Sequence, residues 1–273
     1  MERSSGQSRP DIRLRLRAPF GGSHRFPPRA SNACCGEGAY SGARRVRPCD
    51  HRPGQDIENG SHFLAGGSVV RVVVEGLHLS RGERRLTRGL SFVLEPGQAV
   101  ALTGANGAGK TSLLRAVAGF LRPDAGRIAF ERDGEDLDAG EARAGGLHLL
   151  GHLDGLKTGR LARDELAFAA GWLGAAPDAV ERAVETLHLG PLLALEVRKL
   201  SAGQRRRLAF ARLLAAPRPV WLLDEPLAPL DARWRHDMGA VFAGHLAGGG
   251  SILAAVHDPL PVPSTELSLG RPE

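Results

Sequence analysis

Short apolar runs alternate with amphipathic stretches along most of the chain from residue 69 onward. Runs of β-branched and other apolar residues predict buried strands, and apolar residues that recur every three to four positions predict helices. The predicted strands are residues 69–79, 90–94, 99–103, 127–130, 147–150, 220–223 and 251–256. The predicted helices are residues 111–120, 161–173, 178–187, 204–214 and 231–246.

This alternation of strands and helices predicts an α/β fold, with an open, largely parallel sheet and helices on both of its faces. The helices at 160–190 interrupt the alternation, so we expect a small helical lobe at about residues 155–200 within a folded domain of residues 67–273. Asp178, which follows Pro177, is expected to cap the second helix of this lobe. No run reaches the roughly 18 apolar residues of a membrane helix.

The first 66 residues have a different composition, rich in Arg, Gly and Pro and without a sustained apolar period. Such a stretch cannot bury enough surface to offset its ordering entropy, so we predict a disordered tail. It holds 11 arginines and 6 acidic residues, which is +5 of the formal net charge of +6. Because the remaining residues are nearly neutral, the high isoelectric point does not indicate a nucleic-acid-binding face.

The tail has four other interpretations: a zinc site, a signal peptide, a transit peptide and an upstream-start artefact. Its cysteines, Cys34, Cys35 and Cys49, do not have the spacing of a familiar zinc site. A signal peptide is excluded by the lack of an apolar core, and a transit peptide is disfavoured by the scattered acidic residues. The stretch is alternatively an artefact of an upstream start, with translation beginning near Ser68 or Val69; an intact mass beginning at Met1 would exclude that.

A glycine-rich loop follows the predicted strand 99–103. Its pattern, G-x-x-x-x-G-K-[ST], is completed by Gly104, Gly109, Lys110 and Thr111. Glycines let successive N–H groups point inward at a triphosphate, and the helix that follows adds its positive end. Lys110 is expected to reach the β- and γ-phosphates, and the Thr111 hydroxyl to bind Mg²⁺. Asn106, Gly107 and Ser112 are assigned to the same ATP site.

Two adjacent carboxylates follow the apolar strand 220–223. They stand where open α/β sheets bind their ligands, beyond the carboxyl end of a strand. Asp224 is expected to hold Mg²⁺ through water, and Glu225 to polarise the attacking water as a general base or by orienting it. The glycine-rich loop alone would also suit a kinase, a GTPase or a motor, but together with this pair it predicts a site that hydrolyses a nucleoside triphosphate with Mg²⁺ as cofactor.

The sequence Leu-Ser-Ala-Gly-Gln at residues 200–204 lies 23 residues before Asp224 and opens a predicted helix. It resembles the signature of the ATP-binding cassette (ABC) family, with Ala202 in place of a glycine. His257, after the strand 251–256, and Asp231, in a segment similar to the family's D-loop, extend the resemblance to residues 69–258. The fold implied is a P-loop NTPase of the ABC type.

The resemblance implies that two cassettes close head to tail, with ATP between the phosphate loop of one and Ser201, Gly203 and Gln204 of the other. His257 would contact the γ-phosphate and Glu225, which makes these two the implied catalytic residues. Since the chain holds one cassette, a second is required, and a homodimer is the expected form.

Two departures from the family pattern stand out. His152 occupies the position where the family has a glutamine that contacts Mg²⁺ and water. The aromatic residue that stacks on adenine is missing from residues 80–84, where Arg81 or Arg84 could stack instead. Solvated loop charge is the simpler interpretation of both arginines.

Three stretches, at 77–84, 150–157 and 254–270, resemble one subgroup, the ATP-binding subunits of the haem exporters of cytochrome c biogenesis. That resemblance implies a peripheral protein on the cytoplasmic face of the inner membrane. It would touch the membrane only through an integral permease subunit, and ATP hydrolysis would drive cytochrome c maturation.

The alternatives are a cassette for another cargo, such as a lipoprotein or small molecule, and a soluble ABC ATPase outside transport. His152 argues against the first, because most such cassettes keep the glutamine. The absence of long coiled coils and of a second cassette argues against the other. A nucleic-acid-binding module with a degenerate cassette is disfavoured by the intact Lys110, Asp224 and Glu225.

Overall fold

The computed structural model describes residues 70–270. Its strands are β1 Arg71–Arg81, β2 Arg84–Leu94, β3 Ala99–Thr103, β4 Ala125–Arg132, β5 Glu135–Asp136, β6 Leu147–Leu150, β7 Val220–Asp224, β8 Ser251–Ala255 and β9 Thr265–Ser268. Its α-helices are α1 Lys110–Val117, α2 Ala139–Gly146, α3 Ala162–Leu173, α4 Pro177–Thr186, α5 Ala202–Ala215 and α6 Ala232–Ala247. The predicted tail, the three cysteines and the alternative start lie outside the described residues.

The strands form two sheets, where the sequence analysis expected one. A five-stranded parallel sheet has the order β6-β7-β8-β3-β9, and a separate four-stranded antiparallel sheet has the order β2-β1-β4-β5. The expectation of one parallel sheet was therefore wrong for the strands near 69–79, 90–94 and 127–130. Only Gly82 and Glu83 connect β1 to β2, and so short a connection permits antiparallel pairing alone.

The parallel sheet brings three candidate functional segments together at the carboxyl ends of its strands. β8 lies between β7 and β3, and Ala255 is level with both Asp224 and Leu102. Every residue of β7 and β8 is buried. The segments that follow β3, β7 and β8 therefore emerge side by side, as the carboxyl ends of parallel strands do.

Several element bounds differ from those expected. β2 begins at Arg84 rather than at residue 90, and neither α2 nor β9 was predicted. α4 begins one residue earlier than expected, with Ala176 as N-cap and Pro177 in the first turn. Proline favours that position because its fixed φ is already helical and its missing N–H is not needed there. Asp178 therefore lies in the first turn and is not the N-cap, and its carboxylate pairs with Arg182 at 2.6 Å.

The helices between residues 162 and 186 pack on α5. Leu166 of α3, Leu187 after α4 and Leu208 of α5 are buried in one apolar cluster, which also includes Trp221 of β7. The chain then returns to α5 through two short 3₁₀ turns, Gly190–Leu192 and Val197–Lys199. α5 thus connects this helical part to the parallel sheet. None of the helices in residues 70–270 has the length and apolar character needed to cross a bilayer.

Two buried histidines lie beside the start of β7. The His148 Nε2 is 2.6 Å from the carbonyl oxygen of Ala216, and the His245 ring stacks on Trp221 with centroids 3.9 Å apart. Burial lowers the pKa of each from 6.5 to about 4. Both rings are therefore neutral at neutral pH.

Candidate functional site

The loop between β3 and α1 depends on its glycines. Gly104, Gly107 and Gly109 have φ of 134°, 79° and 102°, in the region that side chains disfavour. A Cβ on Gly104 would lie 2.6 Å from the carbonyl oxygen of Leu269, and a Cβ on Gly109 would lie 3.0 Å from the Cβ of Leu86. Gly109 is the N-cap of α1, and no side chain caps this helix. The amides of its first turn are thus left for a ligand.

The two polar side chains at the start of α1 point to different partners. The Lys110 Nζ donates to the Gly104 carbonyl oxygen at 2.7 Å, and this side chain is buried within its own loop. The Thr111 Oγ1 donates to the Asp224 Oδ2 at 2.9 Å. The structure therefore brings the glycine-rich loop and the end of β7 together.

A single cleft contains most of the predicted nucleotide residues. It is lined by Arg81, Arg84, Leu86, residues 105–112, Asp224 and Glu225. Asn106, Gly107 and Ser112 lie in it as expected, and no aromatic side chain is among these lining residues. The Arg84 Nη1 lies 3.5 Å from where a Cβ on Gly107 would stand, so this guanidinium borders the loop.

Glu225 and two histidines converge beyond the ends of β7 and β8. The His257 Nε2 is 3.1 Å from the Glu225 Oε1, and the His152 Nδ1 is 3.8 Å from the Glu225 Oε2. Glu225 has a φ of 47°, which a residue with a side chain seldom adopts, and its N–H donates to the Ala255 carbonyl oxygen at 2.9 Å. A carboxylate held between two imidazoles can orient a water or accept its proton.

The residues predicted to face a second nucleotide lie elsewhere. Ser201 is the exposed N-cap of α5, where its Oγ accepts from the Gln204 N–H and the Gln204 Oε1 accepts from the Ser201 N–H. Asp231 is the N-cap of α6 and accepts from the Trp234 N–H at 2.9 Å. A Cβ on Gly203 would lie 3.0 Å from the Pro229 carbonyl oxygen, which brings the start of α5 against the loop before α6. The cleft described above is lined by none of the residues Ser201, Gly203, Gln204 and Asp231.

Arg206 is a buried residue that the sequence analysis did not single out. Its side chain is 2% exposed, and its guanidinium contacts residues of the His152 loop and the backbone at Glu225. The only sequence signal was a charged residue on the inward side of α5, two positions after Gln204. Because Arg205 and Arg207 flank Arg206, the sequence alone does not distinguish it from a solvent-exposed arginine.

The donor set near Thr111 suits a magnesium ion that is bound together with phosphates. One hydroxyl and one carboxylate oxygen lie 2.9 Å apart, and Mg²⁺ prefers few protein oxygens, with phosphate and water completing its shell. Residues 70–270 contain no group of three or more His, Cys, Asp or Glu side chains arranged as a metal site. The residues present therefore fit a metal that arrives with its nucleotide.

Comparisons with known proteins agree with this geometry. A family model described as "ABC transporter" matches residues 87–228. Among curated proteins, the "Cytochrome c biogenesis ATP-binding export protein CcmA" of Rhodopseudomonas palustris (strain BisB5) is 47% identical over 195 residues, which are 71% of this chain and 96% of that protein. The protein of the same name from Mesorhizobium japonicum is 41% identical over 201 residues, which are 74% of this chain and 98% of the relative.

Solved structures share the fold at lower identity. A "Putative ABC transporter (ATP-binding protein)" from Pyrococcus furiosus superposes with a TM-score of 0.63 at 20% identity, covering 73% of this chain and 97% of that one. A bacterial Atm1-family ABC exporter with ATP bound gives a TM-score of 0.59 at 24% identity, covering 76% of this chain and 37% of the exporter.

Proposed function

The chain belongs to the ABC transporter family and, within it, to the group of CcmA proteins, and on that premise we propose that it is the ATP-hydrolysing subunit of the haem exporter of cytochrome c biogenesis. The observation that carries its catalytic role is the convergence of Thr111, Asp224, Glu225 and His257 at the carboxyl edge of the parallel sheet. The printed names of the relatives support its task.

ATP binds in the cleft between the glycine-rich loop and the end of β7. The amides of the loop and of the first turn of α1 hold the phosphates. Lys110 leaves the Gly104 carbonyl oxygen, 2.7 Å away, and donates to the β- and γ-phosphates. Thr111 and Asp224 would hold Mg²⁺, and the ion would supply charge neutralisation to the phosphate oxygens.

Hydrolysis uses the group formed by Glu225 and His257. The Glu225 carboxylate orients the attacking water and accepts its proton, and His257, 3.1 Å away, fixes that carboxylate and faces the γ-phosphate. His152 lies 3.8 Å from the other carboxylate oxygen. It thus replaces the family's glutamine beside the water and the metal.

A second copy of the chain completes the site. Ser201 and Gly203 lie outside the cleft of their own chain and are exposed or half-buried at the start of α5. In a head-to-tail homodimer each α5 start faces the γ-phosphate of ATP held by the other chain. One chain alone is therefore a poor ATPase.

The membrane-spanning partner, a CcmB-like permease, contacts the helical part and the His152 loop. Leu153 is 84% exposed, and Phe168 and Trp172 are 56% and 83% exposed one turn apart on α3. Exposed apolar side chains of this size support docking to another protein. The chain would then lie on the cytoplasmic face of the inner membrane, with haem as the exported cargo.

The test is a pull-down from native membranes in ATP and Mg²⁺, comparing wild type with Glu225→Gln. This variant keeps the ATP site, so it should trap the closed dimer together with a small multi-spanning subunit and cytochrome c maturation proteins. A Glu225→Gln chain that also carries Lys110→Ala is the matched control, because it cannot hold ATP and should not be trapped. Recovery of a different permease, or of no membrane protein, would contradict the assigned task and leave the ATPase chemistry standing.

A further inference from the structure

The guanidinium of Arg206 connects three separate segments near the carboxyl ends of the parallel strands. Arg206, on the second turn of α5, donates from Nη1 to the Gly151 carbonyl oxygen at 2.9 Å. From Nη2 it donates to the Glu225 carbonyl oxygen at 3.0 Å and to that of Asp224 at 3.3 Å. Its Nη1 also lies 3.0 Å from the Asp154 Oδ1. The helix that starts at Ser201, the loop that carries His152 and the backbone of Glu225 thus meet at one side chain.

Burial makes this cluster sensitive to change. The Arg206 side chain is 2% exposed and that of Asp154 is 18% exposed. Burial lowers the pKa of Arg206, and the nearby carboxylate of Asp154 opposes this most. Burial raises the pKa of Asp154, and Arg206 opposes that in turn. Each charge is held by the other, so removing one leaves the other buried and uncompensated.

The contacts at Glu225 fix its backbone on both sides. The residue has a φ of 47°, which costs free energy unless its surroundings impose it. Its N–H donates to the Ala255 carbonyl oxygen, and its own carbonyl oxygen accepts from Arg206. With both peptide groups held, the side chain is directed toward His257.

We propose that Arg206 is a positioning residue that holds Glu225 in its left-handed conformation and ties it to the start of α5 and to the His152 loop. This rests on the proposed function, in which α5 contacts ATP held by a second chain. When that contact moves α5, Arg206 carries the displacement to the backbone of Glu225 and to Gly151, next to His152. Hydrolysis thereby depends on engagement of the second chain.

The chain offers a matched control on the same helix. Arg212, six residues further along α5, donates to the carbonyl oxygens of Asp154 and Gly155. It therefore holds the same loop from the same helix, and burial lowers its pKa as it does that of Arg206. No contact joins Arg212 to Glu225 among residues 70–270. If Arg206 only stabilised the loop, Arg206→Met and Arg212→Met would change kcat and Tm in the same way.

The experiment compares Arg206→Met and Arg206→Lys with Arg212→Met in the full-length chain, measuring kcat and KM for ATP and the Tm. We expect Arg206→Met to lower kcat by about 10-fold or more while KM changes by less than about 3-fold, because the ATP cleft is intact and only the base is misplaced. Arg206→Lys should fall between it and wild type, since one ammonium cannot reach all four oxygens. Arg212→Met should lower Tm with kcat within about 2-fold of wild type.

A double variant, Arg206→Met with Asp154→Asn, separates positioning from stability. The neutral amide removes the uncompensated charge, so Tm should recover while kcat stays low. Recovery of kcat together with Tm would overturn the proposal, as would parallel losses of kcat in Arg206→Met and Arg212→Met or an unchanged kcat in the Arg206 variants. A wild-type chain that dimerises with ATP bound but does not hydrolyse it contradicts the proposed function itself, and the positioning role with it.

Discussion

The proposed function places two helix starts against phosphate, and the two are built in opposite ways. α1 begins at Gly109 with no side-chain cap, after a loop held in shape by glycines of positive φ. α5 begins at Ser201, which forms a reciprocal pair of hydrogen bonds with Gln204. The first start leaves its amides unpaired until a ligand arrives, whereas the second satisfies part of its own requirement.

This difference in capping accompanies a difference in where the two helix starts lie. The loop before α1 lines a cleft together with Asp224 and Glu225 of the same chain. The start of α5 lies outside that cleft and is exposed, and its own capping box stabilises the helix there. Because the Ser201 Oγ only accepts from the Gln204 N–H, its own proton remains free to donate to a phosphate oxygen.

The largest effect on ATP binding is expected from a methyl group added in the loop before α1. Gly109→Ala should lower ATP affinity by about 100-fold or more, because the new Cβ meets Leu86 at 3.0 Å and the backbone at φ 102° disfavours a side chain. Titration with a fluorescent ATP analogue measures this. The control is Gly171→Ala in the exposed last turn of α3, where nothing lies within 4 Å of the new methyl. That variant should bind ATP normally and gain about 1 kcal/mol of stability.

A medium effect is expected from removing the cap of α5. Ser201→Ala should lower the free energy of unfolding by about 1 kcal/mol and the ATPase kcat by about 10-fold, with ATP affinity unchanged. Denaturant titration and steady-state kinetics measure the two quantities. Asp138→Ala removes the equivalent cap of α2, in which the Asp138 carboxylate accepts from the Glu141 N–H. It should cost similar stability without affecting kcat, and an equal kcat in both variants would contradict the assigned role of Ser201.

The smallest effect is expected where the sequence departs from the family signature. Ala202→Gly restores the usual glycine at the first position of α5. Ala202 is exposed, so the change should lower stability by up to about 1 kcal/mol through backbone entropy and leave kcat within about 2-fold. A 10-fold rise in kcat would mean that the methyl group obstructs the phosphate contact.

Local patterns identified the segments that line the cleft, whereas they did not predict the two sheets. The segment 104–112 and the pair Asp224 and Glu225 each follow an apolar strand, and a strand with its next few residues is a local feature that sequence records. Pairing between strands is not local. The short connection at Gly82 and Glu83 was a signal for an antiparallel hairpin, but the alternation of strands and helices outweighed it in our prediction.

The unpredicted parts depend on contacts between distant segments. β9 has only four residues and pairs with β3 about 165 positions earlier, so its own sequence carries little signal. The clustering of Arg206 with Gly151, Asp154 and Glu225 likewise needs three segments to be folded together. In the sequence, Arg206 is one of three consecutive arginines; Arg207 is buried as well, and only the contacts of the folded chain distinguish Arg206 from it.

The neutral histidines beside β7 make folding a proton-linked reaction. The unfolded chain binds protons on His148 and His245 around pH 6.5, whereas the folded chain excludes them down to about pH 4. Their contribution to stability is complete above pH 6.5 and is lost as the pH falls from 6.5 toward 4, by up to about 1.4 kcal/mol per pH unit for each ring. His245→Phe, which keeps a ring against Trp221, should reduce the slope of unfolding free energy between pH 6 and pH 5 by about one proton. The two groups that make the fold sensitive to acid thus lie near the amino ends of the parallel strands, whereas the cleft proposed for ATP lies at their carboxyl ends.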